Sequence, residues 1–119
     1  MNSAQLDFQQ LRIKHIHFKS KVRSVLYGGS YDAAFFSSEG PINLWFNTIG
    51  QAKYKYIKEM DELNRVHQSL NSIAQDLIRL YQNGKIDQAH DGLIQLNVKS
   101  EEFISLLQQL ERRADDLVS

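Results

Sequence analysis

The chain has no cysteine among its 119 residues. That excludes disulfides, zinc ribbons and fingers, iron–sulfur sites and a thiol nucleophile, and it fits a reducing compartment. There is one proline, Pro41, and four of the six glycines fall between Gly28 and Gly50. Helix breakers are therefore scarce outside that stretch. Neither charge sign is in excess: 14 basic residues balance 14 acidic ones. A neutral chain lacks the electrostatic footprint of a nucleic-acid binder or a polybasic membrane docker. No run approaches the length of a membrane-spanning helix, and Met1 to Gln10 shows neither the basic nor the apolar region of a secretory signal. A single soluble cytoplasmic domain covering residues 1–119 is the expectation, since 13.8 kDa supports one modest core.

What is present is helical periodicity. Ser3 is a plausible cap for a first helix over Gln5–Tyr27, whose stripe reads Phe8, Leu11, His15, Phe18, Val22 and Val25. Ile13 and Ile16 widen that stripe, and Gly28-Gly29 stops the helix. Residues 30–41 read as a loop with at most one helical turn around Asp32–Phe36. Pro41 starts a short helix through Ile49, closed by Gly50. A third helix is expected over Ala52–Gln82, with Met60, Leu63, His67, Leu70, Ala74, Leu77 and Tyr81 on one face and Asn83-Gly84 as its stop. A fourth is expected over Ile86–Leu117. Its seam runs Ile86, Ala89, Leu93, Leu96, Ser100, Phe103, Leu107, Leu110, Ala114, Leu117, with Gly92 and 97–100 as weak points. The fold class is therefore all-α: a four-helix-bundle-like domain of three long helices plus a short one after a Gly-rich loop.

His15 and His67 both lie on buried stripes. They are either core histidines hydrogen-bonded to each other, a carbonyl or water, or metal ligands between facing helices. His17 and His90 read as surface residues. Phe35, Phe36, Trp45, Phe46, Tyr54 and Tyr56 suit a cluster closing one end of the core, and less readily a ligand pocket. Glu59, Asp61 and Glu62 lie near Lys58 and Arg65 on a solvated face. No nucleophile–base pair, nucleophile elbow or phosphate cradle is present, so an enzyme is not expected.

These residues resemble the chemoreceptor zinc-binding domain, a helical bundle of bacterial chemoreceptors and diguanylate cyclases. The family opens with a His, an aromatic three residues on and then a Lys. Here that stretch is His15-Ile16-His17-Phe18-Lys19. The family's Cys falls five residues before a Trp, with one Gly two before the Trp and another five after it. This chain has Gly40-Pro41-Ile42-Asn43-Leu44-Trp45 and then Gly50. A pair of His four apart follows, with an apolar residue before the second and a small one three after it. Here those positions hold His67, Leu70, Asn71 and Ala74, and Gly84 and Ala89 come at matching distances. Pairing Leu63 and His67 with the two His positions instead loses the Leu70 and Ala74 matches. The likeness spans about Leu6 to Leu110.

In that family three His and one Cys hold zinc. The resemblance carries over two of the four ligand positions, His15 and His67. Gly40 stands at the Cys position, Asn71 at the other His, and Asn43 replaces the Gly before the Trp. Half of the tetrahedral shell is missing, and with it the soft thiolate. Glu39, next to Gly40, is the one candidate substitute ligand. The resemblance implies a small cytoplasmic sensory or regulatory domain of bacterial signalling, of the chemotaxis or cyclic-di-GMP type. Its zinc binding is weakened or lost, and the domain is expected to fold without the metal. Its partner is a signalling protein or a second copy of the chain, with no nucleic acid and no membrane insertion. The alternative is a metal-free interaction or dimerisation module, and a small-molecule binder around Trp45 is a third reading.

Overall fold

The computed structural model describes residues 2–113, a helical rod of about 52 × 24 × 22 Å. Helix α1 spans Ser3–Leu26, α2 Pro41–Trp45, α3 Gln51–Lys53, α4 Lys58–Gln82, α5 Ile86–Asp91 and α6 Leu93–Arg112. A π-helical turn, Phe46–Gly50, joins α2 to α3. Among the described residues there is no strand, and no helix is long and apolar enough to cross a membrane. The seam positions Ala114 and Leu117 lie outside the described residues.

The three long helices α1, α4 and α6 bury one stripe each, and these stripes meet in one core. Steps of three and four keep a helix's apolar residues on one face, and burying that face stabilises it far more than propensity does. Val22, Leu63, Leu70, Phe103 and Leu107 are fully buried along this seam. Ile13 and Ile16 do not join it. They are 66% and 58% exposed, on the outer flank of α1. Ile86 is likewise exposed rather than part of the α5–α6 seam.

Helix ends differ from the sequence reading in instructive ways. The cap of α1 is Asn2, not Ser3. The Asn2 side chain accepts from the Gln5 amide and the Gln5 side chain accepts from the Asn2 amide, a reciprocal capping box. Gly28 and Gly84 stop α1 and α4 in the left-handed region, at φ 100 and φ 83. The short helix does not close at Gly50. The π turn carries it on to Lys53, which lets Trp45 face Phe8 and Tyr54 while Phe46 turns toward His67.

The third long helix begins at Lys58, not Ala52, because Tyr54 and Ile57 leave the helical path to enter the core. Their destination explains the break. Tyr54 donates from its hydroxyl to the buried Asp7 carboxylate at 2.6 Å, Lys53 Nζ donates to the same oxygen at 3.0 Å, and the Trp45 indole donates to the Asp7 carbonyl. Tertiary hydrogen bonds to an ion outweigh the few tenths of a kcal/mol of helix propensity lost at each residue. Burial, with the Asp7 hydrogen bond, raises the Tyr54 hydroxyl above its ordinary range. Tyr54→Phe is expected to destabilise the fold by about 2 kcal/mol, the worth of a hydrogen bond to a charged group. Urea denaturation at neutral pH measures it, and a midpoint equal to wild type would sink the assignment.

The expected fourth helix is divided at Gly92. The residue stays near helical geometry, at φ −68 and ψ −12, and separates α5 from α6. A Cβ there would fall 2.1 Å from Leu77 Cδ2, so the absent side chain lets this bend sit tightly on α4.

Candidate functional site

Helices α1 and α4 bring the two stripe histidines into the middle of the core. His15 is 0% and His67 2% exposed. The His15 ring stacks on Phe103 at 4.4 Å and shares a hydrogen bond of 2.7 Å between its Nε2 and Ser100 Oγ. Ser100 is the one small polar residue on the α6 seam, and it sits where the imidazole needs a partner. The His67 ring is walled by Phe18, Phe46 and Phe103, with centroids 5.4, 6.2 and 6.4 Å away. The Nδ1 atoms of both rings are buried without a hydrogen-bond partner. Burial alone holds His67 well below its ordinary 6.5, at about 4. Burial lowers His15 further, to about 3, helped by the charges of Lys19, His67 and Arg12. Both imidazoles are therefore neutral at physiological pH.

Two of the remaining expected positions, Gly40 and Asn71, meet at His67. Gly40, His67 and Asn71 line one small cavity of about 10 Å³, together with Phe18, Ser37 and Asn43. That is about the room one water molecule takes. Glu39 is exposed on the outer surface, beside a different groove shared with Lys14, Pro41 and Leu44. The structure does not bring it to the histidines.

Hydrogen-bonding amides hold the loop over this cavity. The Asn71 and Gln75 side chains both donate to the Phe36 carbonyl, each at 3.2 Å. Asn43 donates to the Ser37 carbonyl, and Gln68 donates to Asn43 Oδ1. Gly40 is enclosed: a Cβ there would lie 2.1 Å from the Phe35 carbonyl oxygen. Its φ of −66 is ordinary, so close approach of backbone and not conformation demands glycine.

Zinc asks for four donors in a tetrahedron, three at least from protein. These residues do not fit it. Among the described residues no three of His, Cys, Asp and Glu come together. Gly40 has neither a donor side chain nor space for one, and Asn71 offers only an amide oxygen, a weak ligand beside thiolate or imidazole.

Of the other candidates, His17 is exposed, although its ring edge meets Phe35. His90 is not a free surface residue. It is half-buried, bonds through Nε2 to the Leu26 carbonyl and stacks on Tyr27 at 4.1 Å, closing the end of α1. Phe35, Phe36, Trp45, Phe46 and Tyr54 form the aromatic cluster, and Tyr56 points out of it. Glu59 pairs with Arg113 from the end of α6, not with a neighbour on its own helix. Sequence reasoning missed the Asp7–Tyr54–Lys53 tie. Its one signal was a carboxylate flanked by the buried Ala4, Phe8 and Leu11.

No protein-family model, curated protein or solved structure matches the chain.

Proposed function

We propose that this is a non-catalytic regulatory domain of the chemoreceptor zinc-binding type, working in the bacterial cytoplasm, whose metal centre has become a metal-free polar core. One observation carries the reading. Positions 40, 67 and 71, which the resemblance assigns to one ligand shell, line one cavity, and His15 and His67 share Phe103 as a packing partner. Nothing in helical periodicity alone requires a loop glycine to meet α4 there. In place of a metal clamp, the amides of Asn71, Gln75 and Asn43 hold the loop. The domain acts by relaying a bound state to a signalling partner.

Two experiments test the two halves of this proposal. Elemental analysis of purified protein should find zinc well below one equivalent, and chelator should leave the melting midpoint unchanged. Stoichiometric zinc, or a large fall in midpoint, overturns the metal-free core. Grafted in place of the zinc-binding domain of a diguanylate cyclase, the chain should alter cyclase output without any response to zinc. Output identical to that of the isolated cyclase module overturns the regulatory reading.

A second reading, a metal-free dimerisation module, draws on four exposed residues: Ile13 and Ile16 on α1, and Ile94 and Val98 on α6. Light scattering that finds only monomer at micromolar concentration removes it.

A further inference from the structure

The core makes no use of the cleft beside the π-helical turn. This cleft holds about 250 Å³ between that turn, the following loop and the first turns of α4. Most of its lining is polar, and the nearly fully buried Phe46 and Met60 add a small apolar patch. Lys55 stands on the loop side and Asp61 on the α4 side, both exposed. Among the described residues, the ion pairs formed involve neither of them. Asn47 from the turn and Gln51 at the start of α3 add amide groups.

π turns inside helices are frequent at functional sites, and here the turn forms one wall of the cleft. The volume lies below that of clefts enclosing drug-sized ligands, so the occupant has few heavy atoms. Two opposite charges beside a small apolar patch narrow its chemistry. A phosphorylated metabolite would meet the Asp61 carboxylate with like charge, and a purely apolar molecule would leave both charges unused. A zwitterion satisfies both.

We propose that this cleft binds a free amino acid, its carboxylate at Lys55, its ammonium at Asp61 and its side chain on Phe46 and Met60. Occupancy has a path to the core. The Phe46 ring meets Trp45 edge-on at 5.3 Å and His67 at 6.2 Å. The inference deepens the regulatory reading by naming the chemistry of its signal. The cyclase graft tests that reading without any amino acid, so the two can fail separately.

Trp45 is the only tryptophan, which makes its fluorescence a reporter. The full chain is titrated with each proteinogenic amino acid, following Trp45 emission and heat of binding. Saturable binding with a millimolar or tighter dissociation constant is expected for at least one amino acid with an apolar side chain. Lys55→Gln and Asp61→Asn should each weaken it about tenfold or more, as loss of a charge-assisted contact does, with unchanged melting midpoints. Blocking the ligand's amine or carboxylate should do the same. No saturable binding of any amino acid at tens of millimolar, or binding that survives both substitutions, overturns the proposal.

Discussion

Acidification from pH 7 to pH 5 is expected to destabilise the domain by about 4 kcal/mol, a large part of the 5–15 kcal/mol typical of a small domain. The cause is the pair of buried imidazoles, held at about 3 for His15 and about 4 for His67 against 6.5 when exposed. The folded protein keeps both neutral in a pH range where the unfolded chain protonates them. The unfolded state therefore binds more protons, and stability falls as pH falls. This contribution is complete above about 6.5. It declines by about 1.4 kcal/mol per pH unit for each histidine and stops declining only near the folded values. Urea midpoints measured across pH 4.5–7.5 should show uptake of about two protons on unfolding. His67→Phe, which suits the cage of Phe18, Phe46 and Phe103, should halve that slope. A pH-independent midpoint would mean that both rings are solvated, contrary to the burial described.

The neighbours of the rings explain why neither is rescued by protonation. A protonated His15 would sit near the cations Lys19 and Arg12, and His67 is buried against the rings of Phe18, Phe46 and Phe103. The orphan Nδ1 atoms are the weak point of the core. An unsatisfied buried nitrogen costs about 1–3 kcal/mol, and the contacts of the neighbouring rings, Phe103 stacked on His15 and Phe18, Phe46 and Phe103 around His67, offset it.

Much of this was legible in the chain itself, for a physical reason. A three-and-four repeat held over twenty residues has one solution, a helix burying that face, so the α1, α4 and α6 stripes and the burial of His15 and His67 follow from spacing. Ile13 and Ile16 depart from the expected stripe because apolar residues are common on surfaces, and being hydrophobic does not place a residue inside. The start of α4 is not legible in the local sequence because it is set by the partner of Tyr54, 47 residues away. The enclosure of Gly40 was equally invisible. A glycine near a proline reads as a turn, whereas its true constraint is the Phe35 carbonyl folding back over it.

That enclosure carries the other large expectation. Gly40→Ala should lower stability by about 3 kcal/mol, the upper end for an overpacked site. The added carbon would approach the Phe35 oxygen at 2.1 Å, with the Ser37 oxygen at 3.2 Å behind it. Backbone carbonyls cannot swing aside as a side-chain tip does, and moving Phe35 strains the bonds from Asn71 and Gln75 to the adjacent Phe36 carbonyl. Asn71→Ala should cost only about 1 kcal/mol, because Gln75 still satisfies that carbonyl. The contrast between the two variants separates enclosure from hydrogen bonding, and chemical denaturation measures both. The same geometry opposes building a metal centre at this position. Gly40→Cys brings the identical Cβ, so the double variant with Asn71→His should lose stability and show no zinc-dependent rise in midpoint. If zinc instead raised the double variant's midpoint above wild type, the 35–40 loop would have refolded around the ion. The amide-held loop would then be one of two conformations open to this chain.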